Sequence, residues 1–312
     1  MLKKWQIGVA LGALTAIGLS AGARADQPFI PLVSKGFQHQ FWQAVKQGAE
    51  EQAKADNVKI TFEGPETEAM VDKQIDMLSA DLAKHPNAIG FAALDSQAAI
   101  PLLKKAQAEK IPVIAFDSGV DSDIPLTTCR TDSVAAAGEA AVKMAELIGD
   151  SGEVAVIVHD QTSRTGIDRR DGFLAEMKKH PNIKIVSVQY GAGDQLKSAE
   201  IAKADIQANP NLKGIFGANE GSAIGAVIGV KESGKKLVLI GFDAGKAQKD
   251  AVKSGLMAGA ITQNPVGIGK CVVDSAVKAL KGEKLPKVID TGFYWYDKTN
   301  INDPKFAPLL YD

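Results

Sequence analysis

Two aspartates stand in nearly the same phrase. Asp117 lies in IPVIAFDSG (residues 111–119) and Asp243 in LVLIGFDAG (residues 237–245). Each phrase is a Val/Ile-rich run, then Phe-Asp, a small residue and Gly, which reads as a buried parallel strand ending in a turn. The Asp falls just past the carboxyl end of its strand, where ligands bind in open α/β sheets. A single such Asp could equally serve as a turn or cap residue. A matched pair points to two similar lobes, each presenting an acid to a shared cleft.

Other polar and aromatic groups fall at corresponding positions. The connection after the first strand runs Ser34-Lys35-Gly36-Phe37-Gln38-His39-Gln40-Phe41-Trp42. Its rings can cover an apolar ring face, and Ser34 and His39 can hydrogen-bond polar substituents, although Phe41 and Trp42 also suit the buried stripe of the next helix. The matching connection in the second half is His159-Asp160-Gln161-Thr162-Ser163, followed by Arg169. Arg169 offers planar donors to hydroxyls or a carboxylate, or an ion pair to Asp168 or Asp171. Asn219 ends another strand and is a ligand donor-acceptor or a helix cap. Gln263 precedes the break at Pro265. Carboxylates, amides, a guanidinium and rings together suit a neutral polyol, with hydroxyls hydrogen-bonded and the C–H face stacked.

Marks of catalysis or metal binding are missing. The four histidines (His39, His85, His159, His180) have no metal-ligand spacing. No P-loop, dinucleotide fingerprint or nucleophile elbow occurs, so neither metal nor cofactor is expected. An acid pair such as Asp117 and Asp243 could serve a secreted glycosidase, which is the remote alternative.

The elements needed to position these residues can be read along the chain. Strands over 28–34, 58–62, 88–94 and 112–116 alternate with helices over 39–54, 69–84 and 98–109. After Cys129-Arg130-Thr131-Asp132 the rhythm restarts: helices over 133–148, 167–179, 197–209 and 223–233 alternate with strands over 154–158, 183–189, 214–216 and 237–241. A strand over 257–262, a helix over 267–280 and a strand-like stretch over 288–295 complete the chain. Alternating βα units imply α/β lobes with parallel sheets covered on both faces.

The 312 residues, 45% hydrophobic and 23% charged, are enough for two domains. Residues 1–25 read as a signal peptide: Lys3 and Lys4, an apolar stretch over 7–19 too short to span a bilayer, then Ala23-Arg24-Ala25 with cleavage expected before Asp26. Cleavage takes the formal charge from −1 to −4. Without a basic run the chain is a poor nucleic-acid binder, and no later stretch predicts membrane insertion of the mature protein. Cys129 and Cys271 are either a disulfide or two small buried hydrophobes; the sequence leaves this open.

In order and spacing, VIAFDSG (113–119), IDRRDGF (167–173), FGANEGSAIGA (216–226), LIGFDA (239–244) and AITQNPVGIG (260–269) resemble the ribose-binding-protein-like family of periplasmic sugar-binding proteins of ABC importers. The resemblance spans the mature chain. It implies a type I periplasmic binding protein: two Rossmann-like lobes joined by a three-crossing hinge and closing on ligand. It also implies lobe one over 26–131 plus 263–292, and lobe two over 132–262 plus 293–312. By motif position, ligand contacts fall on Phe41, Trp42, Asp117, Arg169, Asn219, Asp243 and Gln263, with Ser34, His39 and Ser118 added.

Three departures argue against ribose itself. Ser118 stands where the family's ribose binders carry Arg, an aromatic expected near Gly193 is absent, and His39 replaces a common Asn. The implied protein is a periplasmic, monomeric, non-enzymatic carrier of a monosaccharide or sugar-derived molecule. Its implied partner is an ABC transporter permease. A chemoreceptor partner, or a receptor role for a sugar-derived signal or opine-like conjugate, is the alternative. A LacI-type repressor would need a DNA-binding N-terminus where this chain has a secretion signal.

Overall fold

The computed structural model describes residue 1 and residues 27–311. Apart from residue 1, the expected signal peptide lies outside the described residues. From Phe29 the chain alternates β1 (Phe29–Val33), α1 (Gln40–Ala55), β2 (Lys59–Glu63), α2 (Val71–Leu82), β3 (Ile89–Phe91), α3 (Ile100–Ala108), β4 (Val113–Phe116) and β5 (Thr127–Arg130). It continues through α4 (Ser133–Ile148), β6 (Gly152–Val158), α5 (Arg164–Met177), β7 (Ile183–Tyr190), α6 (Gln195–Ala208), β8 (Leu212–Gly217), α7 (Glu220–Ser233) and β9 (Val238–Phe242). The last elements are α8 (Lys246–Ser254), β10 (Gly259–Gln263), α9 (Pro265–Leu280), β11 (Val288–Asp290) and β12 (Phe293–Asp297).

The strands form two sheets of six, in the orders β11-β5-β4-β3-β1-β2 and β12-β10-β9-β8-β6-β7. All pairings are parallel except β12 against β10. Each sheet is covered on both faces, which is why its central strands are apolar on alternate and intervening positions alike. In the first sheet, α1 and α9 bury Val45, Ala49, Val272 and Ala276 on one face, while α2 and α3 bury Leu78, Leu82 and Leu103 on the other. In the second, α4 and α5 pack Met144 and Phe173 on one face, and α6, α7 and α8 pack the other.

The chain passes between the sheets three times: from β5 to α4, from β10 to α9, and from β11 to β12. The second passage is punctuated by Pro265 at the start of α9 and by Asn264, whose side chain accepts from Gly267 N–H at 2.9 Å. Cys129 of β5 and Cys271 of α9 form a disulfide across 142 residues of sequence, with Cα atoms 6.0 Å apart.

Three local features depart from the sequence reading. The stretch over 288–295 is two strands in different sheets, split at Gly292, whose φ of 81° is the turn that separates them. β5 escaped notice because Thr-Thr-Cys-Arg has no apolar run, and its strand character comes from pairing with β4 and β11. α8 was missed because KAQKDAVKS is short and charged, with only Ala251, Val252 and two polar stems buried.

Among the described residues, no helix is long and apolar enough to cross a membrane. No group of His, Cys, Asp and Glu among them is placed to hold a metal ion.

Candidate functional site

The twin phrases produce twin geometry. Asp117 follows β4 and Asp243 follows β9, and both adopt left-handed backbone conformations, with φ of 54° and 79°. Each amide still bonds to the neighbouring strand: Asp117 N–H to Cys129 O at 2.8 Å and Asp243 N–H to Ile261 O at 2.7 Å. The sheet therefore fixes the backbone up to the Asp, and the left-handed turn then aims the side chain off the strand end. Such a turn costs a non-glycine residue about 1–2 kcal/mol. The same cost at both strand ends marks positions kept for what the carboxylates face.

They face one cavity between the two sheets. The cleft is closed. From the first sheet's side it is lined by Lys35, His39, Phe41, Trp42, Glu68 and Asp117; from the second by His159, Thr165, Arg169, Asn219, Asp243 and Gln263. Eight of the ten residues singled out in the sequence meet there. Ser34 and Ser118 do not line it: the Ser34 hydroxyl is turned onto the carbonyls of Glu63 (3.1 Å) and Gly36 (3.3 Å), and Ser118 is fully buried behind the turn.

Several side chains do two jobs. Phe41 and Trp42 belong to the core under α1 and also wall the cavity, their rings edge to face with centroids 5.0 Å apart. Asn219 Oδ1 caps α7 by accepting from Ser222 N–H at 2.9 Å, which directs its amide nitrogen toward His39 Nε2 at 3.4 Å. Gln38 is oriented likewise: its oxygen accepts from Glu68 N–H, and its nitrogen reaches Gly193 O and His39 Nε2. Two amide nitrogens thus converge on His39 Nε2, while Nδ1 has no protein partner.

Arg169 is buried. Its Nη1 donates to Ala218 O at 2.9 Å and lies 4.0 Å from Asp243 Oδ2. The surface partnership considered for it goes instead to its neighbours, Asp168 with Arg164 and Asp171 with Arg170. Asp243 accepts from Gln263 Nε2 at 2.8 Å and from Glu220 N–H at 3.0 Å.

Lys35, Glu68 and Thr165 were not picked out from the sequence. Lys35 Nζ donates to Thr165 Oγ1 at 3.2 Å and lies 3.8 Å from the carboxylates of both Glu68 and Asp160. Glu68 also accepts from Trp42 Nε1 at 2.8 Å. The available clue was position: residues 64–68 follow the carboxyl end of β2, but the Gly64-Pro65 break drew attention away from the acid after it.

Burial sets the protonation of the site, and the charges correct it. Burial pushes the Asp117 carboxyl up to about 6; Lys35 and Arg169 limit the rise, while Asp243 and Glu68 add to it. Burial also acts to raise Glu68, yet Lys35, His39, His159 and the Trp42 hydrogen bond hold it down at about 2. His159 is pushed down to about 3 by burial and by Lys35, against the opposing pull of Asp160. Buried side-chain atoms without a protein partner include Asp117 Oδ1, His39 Nδ1, His159 Nδ1, Arg169 Nε and Gln263 Oε1. Unpartnered donors and acceptors thus both occur on residues lining an aromatic-walled cavity, the complement of a ring bearing several hydroxyls.

Residues 30–284 match the periplasmic binding protein domain family. The chain belongs to that family. Among its relatives, the D-allose-binding periplasmic protein of Escherichia coli is 28% identical over 284 residues, covering 88% of this chain and 91% of that one. An ABC transporter solute-binding protein from Agrobacterium vitis, solved with bound D-fucose, superposes with a TM-score of 0.88 at 33% identity, covering 91% of this chain and all of that one. A second from Agrobacterium vitis, with bound α-D-tagatopyranose, gives 0.88 at 34% identity over 92% of this chain and 100% of that one. These are two-sheet α/β proteins of the type I periplasmic binding protein fold, as the sequence resemblance implied.

Proposed function

We propose that this periplasmic binding protein captures a monosaccharide in the cleft between its sheets and delivers it to the permease of an ABC importer. The observation that carries the reading is the mixed set of unpartnered buried donors and acceptors inside a closed, aromatic-walled cavity. Asp117, Asp243 and Gln263 accept from sugar hydroxyls; Arg169, Asn219 and His39 donate; Phe41 and Trp42 cover the C–H face. Lys35 and Glu68 join this set, while Ser34 and Ser118 support the turns behind it. A D-allose-binding relative and solved neighbours with bound D-fucose and α-D-tagatopyranose support a monosaccharide ligand.

The lobes are taken as residues 26–131 plus 263–292, and 132–262 plus 293–312, with the chain exported to the periplasm after loss of its leader and working as a monomer. No feature of the cleft favours the signal-receptor alternative. The reading is of binding without turnover.

Thermal melts of residues 26–312 test it, run after removal of any copurified ligand against D-allose, D-fucose, D-tagatose, D-arabinose and D-ribose. A ligand at about 1,000 times its Kd stabilises the fold by roughly 4 kcal/mol. At least one sugar should raise the midpoint by several degrees, and Asp243→Ala should abolish the shift. A flat response to every sugar, or conversion of a matching glycoside to product, sinks the proposal.

A further inference from the structure

Helix α1 begins without a cap from its own lobe. Its N-cap residue, His39, makes no side-chain capping bond, so the first amides of the helix need outside acceptors. They find them across the cleft: Glu220 Oε1 accepts from Gln40 N–H at 3.0 Å and Glu220 Oε2 from Phe41 N–H at 3.2 Å. The arrangement is reciprocal. Helix α8 of the second lobe starts after Gly245, which has no side chain to cap with, and its first amide, Lys246 N–H, donates to Gln40 Oε1 at 2.7 Å.

Each lobe therefore caps a helix of the other, through three hydrogen bonds that cross the cleft. A carboxylate at a helix N-terminus adds favourable charge to the hydrogen bonds. Neither Glu220 nor Gln40 lines the cavity. The backbone amide of Glu220, however, donates to the cleft-lining carboxylate of Asp243 at 3.0 Å. Gly245 keeps the space open, because a Cβ there would lie 2.9 Å from both Gln40 Oε1 and Glu220 Oε1.

We propose that Glu220 and Gln40 form a reciprocal helix-capping latch that holds the closed cleft, making Glu220 a positioning residue for sugar retention that touches no sugar. The proposal rests on the reading of a cleft that closes on its ligand. Glu220→Gln keeps the shape but can accept through one oxygen only, and Gly245→Ala pushes both latch side chains aside.

The test uses the sugar that stabilises the wild type in the panel above. Both variants should release it on the order of tenfold faster while the unliganded melting midpoint stays unchanged. Hydrogen exchange at the amides of Gln40 and Phe41 should be slow in the sugar-bound wild type, and at one of the two it should become fast in Glu220→Gln, with the rest of α1 unaltered. Equal dissociation rates together with equal protection overturn the latch.

A sugar-free arm separates this outcome from failure of the binding reading. Ser96 N–H donates to Thr162 O at 3.0 Å between the lobes, so a Ser96→Cys/Thr162→Cys pair, its oxidation checked by thiol titration, serves to lock the lobes shut. In that locked protein Glu220→Ala must still unprotect Gln40 and Phe41. If it does not, the latch is wrong whether or not any sugar binds.

Discussion

The guanidinium of Arg169 lies over the ring of Phe242, its central carbon 3.8 Å from the ring centroid. Phe242 is the residue before Asp243 in the repeated phrase, so one strand end supplies both the platform and the counter-charge for the arginine. Arg169 Nε, held beside that ring, has no protein partner.

Arginine at this position is therefore not replaceable by lysine. Arg169→Lys keeps the charge but loses the guanidinium contact with the ring and the bond to Ala218 O, together about 2 kcal/mol or more. Sugar affinity should fall at least tenfold in calorimetric titration. Arg169→Ala leaves the Asp243 carboxylate buried with less compensation and should cost about 3–5 kcal/mol of stability. Unchanged sugar affinity in Arg169→Lys would show that the contact is only structural.

Sugar binding should tighten between pH 5 and pH 7. A hydroxyl donating to Asp117 Oδ1 favours the ionised carboxylate, and Asp117 titrates near 6 before the ligand arrives. Titrations at several pH values should show the dependence in the wild type and a weak, flat response in Asp117→Asn. A wild-type Kd independent of pH across this window would contradict the assignment.

Stability of the unliganded protein depends on two buried groups that pull in opposite directions. Asp117 is raised from 3.8 to about 6, so its contribution is full below 3.8 and lost as pH rises through 6. His159 is lowered from 6.5 to about 3, so its contribution is full above 6.5 and lost as pH falls toward 3. Between about pH 4 and 6 the two slopes, each on the order of 1 kcal/mol per pH unit, offset one another. Single variants should expose them: Asp117→Asn should lose stability faster than wild type on acidification, and His159→Gln should lose it more slowly. Urea melts at pH 4, 5, 6 and 7 check both signs, and parallel curves for all three proteins would refute the pairing.

The Cys129–Cys271 bond closes a long loop, and its removal should destabilise the protein by about 2–4 kcal/mol. Cys129→Ala/Cys271→Ala should melt roughly 5–10 °C lower, and reductant should lower the wild type by a similar amount without affecting the double variant. An unchanged midpoint would show that helix packing alone already fixes α9 on β5.

What the sequence revealed was whatever local pattern controls. The Val/Ile runs gave the central strands, and the doubled Phe-Asp phrase gave the two cleft acids, because a buried strand and its end leave a signature within a few residues. Glu68 and Lys35 left none. Their placement depends on loops that meet only in the fold: Glu68, after β2, reaches Trp42 of α1, and Lys35, after β1, meets Thr165 of the other half, 130 residues away. Glu220 is similar: in sequence it is an acid at the start of α7, and only the closed cleft shows which helix it caps. The split at Gly292 was hidden because a single positive φ redirects a chain without changing its hydropathy.

The three passages between the sheets also bear on the order in which the chain folds. The first lobe is discontinuous: α1 lies on α9, and the core under them joins Trp42 and Val45 to Ile268 and Val272. Until the segment beyond residue 263 exists, the face of α1 that α9 will cover has nothing to pack on, and the first sheet lacks its β11 edge. The second lobe, nearly contiguous in sequence, can condense earlier. A chain truncated before residue 264 should accordingly show exchange protection in α4–α7 and none in α1; protection of α1 would contradict this order. The first part of the chain to be synthesised is thus the last to complete its fold, because its partner helix and edge strand come from the C-terminal end.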